Sequence, residues 1–143
     1  MINKYKTLHE SNISFETAKL AKEKGFTGIV RGIYDTDGNY MDSIETNEHY
    51  TKWASAPTQS LLQKWLRDEH DIHVHVEYFH DPKFGYHHKY DSVISHEGND
   101  WDGGIENRLK RIESDEFRMY RLFDTYEEAL EDGLHQSLKL IEI

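Results

Sequence analysis

Hydrophobic residues recur with helical spacing in three segments of the chain, each beginning at a residue that can cap a helix. The first segment runs from Ser14, whose hydroxyl can accept from a free backbone amide, to Gly25, which can adopt a left-handed conformation. The second begins around Ala56-Pro57-Thr58 and runs to about Glu69. Its apolar face consists of Leu61, Leu62, Trp65 and Leu66.

The third helical segment carries the longest apolar stripe in the sequence. It opens at Thr125-Tyr126-Glu127-Glu128, a capping box in which the threonine and the second glutamate can satisfy each other's backbone amides. The stripe consists of Ala129, Leu130, Leu134, Leu138 and Ile141. We therefore expect this segment to be the main helix packed on a sheet.

Residues 72–79 alternate between apolar and polar side chains, which predicts a strand with one buried face. Turn-forming residues follow at 81–85, and 86–95 can form an antiparallel partner. The favoured register pairs Ile72 with Ile94 and therefore places His75 opposite Asp91.

The remaining segments give weaker signals. Residues 28–41 predict two short strands around the turn at 35–39, and 42–55 have no clear period, so we expect a loop there. Residues 96–116 are rich in glycine and charge, which predicts a mobile loop, and 117–123 can form one more strand.

These elements predict a single α+β domain over residues 1–143. We expect a mainly antiparallel sheet of about four or five strands, covered by the second and last helices, with the short first helix at one edge. A length of 143 residues is enough for one self-sufficient hydrophobic core.

Composition narrows the classes of function. The 17 basic and 27 acidic side chains give a net charge of −10, which repels nucleic acid at long range. The chain has no cysteine, which removes thiol catalysis and cysteine-type zinc sites. No apolar run approaches the roughly 20 residues of a membrane span, and the start has no apolar signal region. We therefore expect a cytoplasmic protein without a membrane partner.

Four segments of the chain form a recognisable combination. They are the Ser-Phe-Glu-Thr-Ala-Lys helix that starts at Ser14 and ends in Lys24-Gly25-Phe26, the segment from Ala56 to Arg67, and the closing segments Thr125 to Leu130 and Leu138 to Ile143. Together they resemble a family of small phage and prophage proteins common in Bacteroidetes. The resemblance spans nearly the whole chain. It implies a phage-derived gene and a bacterial host cytoplasm. It contains no catalytic signature and carries no residue role over to this chain.

The histidines are the strongest candidates in the sequence for a metal site. His73 and His75 share a strand face, the favoured register adds Asp91, and His87 lies further along that face. Imidazoles with a carboxylate can bind a divalent metal and leave a position for water, as a metal-dependent hydrolase requires. The alternative is an ordinary solvated strand face, on which the side chains splay apart. Because no established ligand spacing organises these histidines, we expect no cofactor.

No segment carries the signature of a catalytic nucleophile, a phosphate-binding loop or a dinucleotide site. The sequence assigns no catalytic residue. Trp53 and Trp101 lie in polar segments, where an aromatic side chain can line a pocket or a partner surface. The basic residues between Arg108 and Arg121 are diluted by acidic neighbours, so nucleic-acid binding is disfavoured. We therefore expect a non-catalytic module that binds a host protein or a small ligand. The metal hydrolase is the alternative.

Overall fold

The computed structural model of the chain describes residues 11–45, 52–96, 99–100 and 122–142, which contain three α-helices and six β-strands. The helices are α1 (Phe15–Glu23), α2 (Gln59–His70) and α3 (Tyr126–Leu138). The strands are β1 (Val30–Tyr34), β2 (Tyr40–Glu45), β3 (Ala54–Ser55), β4 (Ile72–Asp81), β5 (Tyr86–His96) and β6 (Asn99–Asp100). A short 3₁₀ helix, Pro82–Phe84, joins β4 to β5. The predicted α+β class is confirmed. None of the described helices is long and apolar enough to cross a bilayer.

Side-chain caps start all three helices. The side-chain oxygens of Ser14, Thr58 and Thr125 accept from the backbone N–H three residues on, at 3.3, 3.2 and 3.1 Å. At the other end of α1, Gly25 has a φ of +96°, and the Phe26 N–H donates to the Ala21 carbonyl at 3.0 Å. The sequence therefore predicts these helix ends correctly, because capping is a local interaction.

The strands form two antiparallel sheets, with orders β2-β1-β3 and β4-β5-β6, where the sequence predicts one sheet. The difference arises in the segment 42–55, which the sequence assigns to a loop. Its first residues extend β2, and its last two form β3, in which Ala54 pairs with Tyr34 of β1. Both edges of β1 are therefore occupied, and β4 pairs with β5 in a separate sheet.

The β4–β5 hairpin forms as predicted but in a register displaced by two residues. Val74 pairs with Ile94, and Glu77 pairs with Asp91. The 3₁₀ helix and an irregularity between Phe79 and Asp81 take up the difference at the tip. Since side chains alternate with a period of two, a displacement of two residues leaves each side chain on its predicted face.

Helix α3 packs on β4 and β5, as its apolar stripe predicts. The whole stripe is buried, although Ile141 lies beyond the end of the helix. Gly133 makes the close approach possible, because a Cβ at this position would lie 2.8 Å from both Ser92 Cβ and Val74 Cγ1. Helix α1 also contacts α3, and Lys24 Nζ donates to the Ile141 carbonyl at 2.8 Å. Residues from both sheets and all three helices share one hydrophobic core.

Two predicted segments fall largely outside the described residues. Most of the loop at 96–116 lies there, but Asn99–Asp100 pairs with Ser95 and His96 as β6 and is not loop. Most of the strand predicted at 117–123 also lies outside. Its last residue, Phe123, bridges to Tyr90 on the free side of β5.

The turn between β1 and β2 depends on one carboxylate. Asp35 Oδ1 accepts from the backbone N–H groups of Asp37 and Asn39, both at 2.9 Å. Gly38, with a φ of +87°, completes the turn. The hydrogen bond from the Asn39 backbone is the main reason that the pKa of Asp35 lies below its ordinary value.

We predict that Gly133→Ala lowers the free energy of unfolding. Overpacking against Ser92 and Val74 costs about 1–3 kcal/mol. We expect this cost to exceed the roughly 1 kcal/mol that alanine gains over glycine in a helix. Urea denaturation measures the change, and a double-mutant cycle with Val74→Ala should show that the two substitutions are not additive. A Gly133→Ala variant more stable than the wild type would show that helix propensity dominates here.

We also predict that Asp35 stabilises the β1–β2 hairpin in a pH-dependent way. A carboxyl whose pKa is lowered by folding stabilises the folded chain above its ordinary pKa, and this stabilisation is lost as the pH falls through the folded value. The stability difference between the wild type and Asp35→Asn should therefore be larger at neutral pH than in acid. An NMR titration that places the Asp35 pKa at or above its ordinary value would contradict the prediction.

Candidate functional site

The predicted histidine face exists, but its imidazoles do not converge. His73 Nε2 lies 2.9 Å from Asp71 Oδ1, and His75 Nε2 lies 3.2 Å from Glu77 Oε1. Both histidine side chains are about half exposed. Asp91 is buried and pairs across the hairpin with Glu77, so the predicted pairing of His75 with Asp91 is wrong. The cause is the displaced register.

His87 lies away from His73 and His75, near the tip of the hairpin. Its ring is 5.6 Å from that of His80, which stacks on His88 at 4.6 Å. Among the described residues, no group of three histidine, aspartate or glutamate side chains is arranged to hold a metal ion. In that part of the chain, the metal-hydrolase alternative therefore has no geometric support.

The structure describes one of the two tryptophans for which the sequence predicts a role in binding. Trp53 is half-buried and borders a cavity of about 270 Å³ together with Phe15 and Lys19. Its carbonyl accepts from Lys22 Nζ at 2.6 Å, so its backbone helps to hold α1. Trp101 lies outside the described residues, as do the basic residues 108–121, and the predictions made for them stay predictions.

A larger cavity, of about 590 Å³, lies where the start of α1 meets the exposed side of α3. Its apolar wall comes from the partly exposed rings of Tyr34 and Phe123. Its acidic wall comes from four α3 side chains, namely Glu127, Glu128, Glu131 and Asp132. We refer to this cavity as the acidic groove.

The helical period places the four carboxylates together. Residues at positions i, i+1, i+4 and i+5 lie on one side of a helix, and here the other side of α3 packs into the core. Glu127 and Glu128 also lie in the first turn, where the partial positive charge of the helix end favours negative side chains. The same residues that start the helix therefore form the wall of the groove.

Glu131 joins three parts of the fold at the groove. Its Oε1 accepts from the Ser14 backbone N–H at 2.8 Å, and its Oε2 lies 3.5 Å from Gln59 Nε2. Gln59 Nε2 also donates to the Glu127 carbonyl, at 2.8 Å. One carboxylate thus fixes the start of α1 and the first turn of α2 against α3.

The hydroxyl groups of Ser14, Thr17 and Tyr34, which line the groove, form hydrogen bonds within the chain. Ser14 Oγ donates to Thr17 Oγ1 at 3.1 Å, and Thr17 Oγ1 lies 3.1 Å from His135 Nδ1. The Tyr34 hydroxyl donates to the Ile13 carbonyl at 2.7 Å. Burial, and then the charge of Glu131, raise the pKa of Tyr34, so this hydroxyl remains a donor at neutral pH.

The groove combines four carboxylate side chains with an accessible surface that is mostly apolar. Of the residues that the structure describes, no lysine or arginine borders it. Within the ranges that the structure describes, none of its four carboxylates forms an ion pair with a lysine, arginine or histidine. Its polar groups and its apolar wall together can hold a ligand that has a positive charge and a hydrocarbon part.

Sequence reasoning missed the acidic groove, although it identified both caps that border it. Ser14 and the box at Thr125 each predict a helix start. The meeting of these two starts depends on tertiary packing between residues more than 100 positions apart.

Comparison with known proteins gives no relative for this chain. No family model matches the sequence, and no curated protein or solved structure matches it significantly.

Proposed function

We propose that this chain is a non-catalytic binding module and that the acidic groove is its ligand site. The observation that carries the proposal is the groove itself: it is wide open to solvent, and its volume of about 590 Å³ lies within the range of roughly 300–1,000 Å³ typical of small-molecule sites. An accessory role for a phage-derived protein in a host cytoplasm is part of the proposal, and it is supported by the sequence resemblance alone.

The lining of the groove supports a cationic ligand. An ammonium or guanidinium group near Glu128 and Asp132 gains Coulomb energy with carboxylates that have no cationic partner among the described residues. The partly exposed rings of Tyr34 and Phe123 form an apolar wall, against which the hydrocarbon part of the ligand is removed from water. The cation can belong to a free amine or to a lysine or arginine side chain of a host protein.

The hydroxyl groups support binding rather than catalysis. Thr17 is buried, and Ser14 caps α1 through the same oxygen that a nucleophile would need. Catalysis by either group would require breaking the hydrogen bonds that start this helix. The hydroxyls are therefore assigned a structural role in the groove.

We predict that the groove binds phenethylamine more tightly than phenethyl alcohol, and the alcohol more tightly than phenylacetate. The three probes share a phenyl ring and differ in charge, so their order isolates the electrostatic contribution. Isothermal titration calorimetry measures each affinity, and a second series at higher salt should weaken the binding of the amine alone. Equal affinities for the three probes would contradict a cationic site.

Charge-removing variants locate the site. Glu128→Gln and Asp132→Asn should each weaken phenethylamine binding by about two- to fivefold, the effect of one partly exposed charge. Glu69→Gln is the matched control, because Glu69 is an exposed carboxylate of α2 that does not line the groove. A loss of affinity in Glu69→Gln as large as in the groove variants would place the binding elsewhere.

A second pair of probes distinguishes a free amine from a protein side chain. N-acetyl-arginine amide carries the guanidinium of a protein arginine, and N-acetyl-citrulline amide has nearly the same shape without the charge. Preferential binding of the arginine probe over phenethylamine would favour a host protein as the partner. The reverse preference would favour a small metabolite.

A further inference from the structure

The tip of the β4–β5 hairpin contains a bulge. The regular pairs on either side of it are Phe79 with Lys89 and Asp81 with Tyr86. Between these pairs, β4 has one residue, His80, whereas β5 has two, His87 and His88. Such an extra residue interrupts the ladder of backbone hydrogen bonds between the two strands. Three histidines therefore meet at the one place in the hairpin where the ladder is broken.

His88 has an uncommon backbone conformation in this bulge. Its φ is +51°, in the left-handed region, which a residue with a Cβ adopts only at a cost in free energy. Within the described ranges, Asp71 is the other non-glycine residue with a positive φ, and it lies at the end of α2, where that conformation is common. The conformation of His88 therefore depends on an interaction at the tip that maintains it.

The side chain of His80 supplies this interaction. The His88 backbone N–H donates to His80 Nδ1 at 3.2 Å, so an imidazole nitrogen serves as the acceptor that a backbone carbonyl provides in a regular ladder. The rings of these two histidines stack with their centroids 4.6 Å apart, and the His87 ring lies edge-on to His80 at 5.6 Å. All three side chains are exposed, so they exchange protons with the solvent directly.

The hydrogen bond from His88 requires a neutral His80. A neutral imidazole accepts at one ring nitrogen, whereas both nitrogens of a protonated imidazole carry hydrogen and can only donate. The ring of His88 is less restricted. The Tyr78 hydroxyl, 2.6 Å from His88 Nδ1, can donate to the neutral ring or accept from the charged one. Of these two histidines, His80 is therefore the one whose protonation breaks an observed hydrogen bond.

The other charged groups at the tip belong to classes that titrate elsewhere. They are the carboxylate of Asp81, whose Oδ1 accepts from the backbone N–H of Lys83 at 3.2 Å, and the ammonium group of Lys83. Histidine ordinarily gains its second proton near about pH 6.5, and carboxyl and ammonium groups titrate well outside this range. Protonated imidazoles at these distances also repel one another. Repulsion among the three histidines therefore acts in the same direction as the loss of the hydrogen bond.

We propose that the hairpin tip is a proton-sensitive turn. At neutral pH, His80 accepts from the His88 N–H and holds His88 in its left-handed conformation. In mild acid, the protonated His80 no longer accepts, the three imidazoles repel one another, and the bulge opens. None of these three histidines lines the acidic groove, so the proposal does not depend on the binding of a ligand there.

Amide hydrogen exchange, measured by NMR on the full isotope-labelled chain, tests the proposal. Between about pH 8 and about pH 5, on either side of the histidine range, the protection of the His88 amide should fall by roughly two- to tenfold. This is the effect of losing one hydrogen bond, after correction for the intrinsic pH dependence of exchange. The paired amides in the rest of the hairpin should keep their protection, which would confine the change to the tip.

Three variants identify the group responsible. His80→Asn supplies an oxygen that can take the place of Nδ1 and does not titrate, so the His88 amide should stay protected at both pH values. His80→Ala removes the acceptor, so the protection should be low at both. His75→Asn is the matched control, because His75 is an exposed histidine of the same strand outside the bulge. This variant should respond to pH as the wild type does.

The same measurements can overturn the proposal. It is wrong if the His88 amide of the wild type is equally protected at both pH values. It is also wrong if the amide stays protected in His80→Ala, because repulsion between imidazoles would then be sufficient to explain a pH response. A His80→Asn variant that loses protection in acid as the wild type does would show that His80 is not the group that titrates.

Discussion

The close packing of α3 on β4 and β5 at Gly133 determines the arrangement of the surrounding elements. Without a side chain at this position, the helix approaches Val74 and Ser92 closely enough that its apolar stripe fills the core. The acidic side of α3 is consequently directed toward the start of α1. The same packing covers the inner half of the hairpin, at Val74, and leaves its outer half exposed at Tyr78. The position of the acidic groove thus follows from this contact.

The acidic groove shows how a cluster of carboxylates can persist without a basic partner among the described residues. Glu127 and Glu128 lie at the positive end of α3, and Glu131 accepts from the backbone N–H of Ser14. Backbone dipoles therefore supply part of the stabilisation that lysine or arginine would otherwise provide. Because these dipoles are fixed by the helices, they remain in place whether or not a cation enters the groove.

Local interactions made the helices and the hairpin predictable from the sequence. Ser14, Thr125 and Gly25 act on residues within a few positions of themselves, and the alternation in β4 is visible without any partner. The division into two sheets was not predictable from the sequence. Strand β3 has only two residues, and it is a strand only because it pairs with β1. The turn at 81–85 was recognised, but the hairpin register was wrong because the sequence does not show that Pro82–Phe84 form a 3₁₀ helix or that an irregularity lies between Phe79 and Asp81.

The contacts of the candidate site were even less predictable from the sequence than the division into two sheets. The sequence places His73 and His75 on the correct strand face. Each imidazole contacts a carboxylate two residues away on its own strand, whereas the prediction considered only partners on the neighbouring strand. The groove depends on the contact between Ser14 and Glu131, which no local pattern reveals.

That contact also has a consequence for folding. Ser14 and Glu131 are 117 positions apart, as are Lys24 and Ile141, whereas the β4–β5 hairpin forms between neighbours in the chain. Closing so long a loop is entropically costly, so contacts of this kind tend to form late and open early. The groove is therefore assembled only when both ends of the described fold have docked. A cation bound in the groove would stabilise the docked state of α1 and α3, and would therefore slow the local opening that separates these two helices.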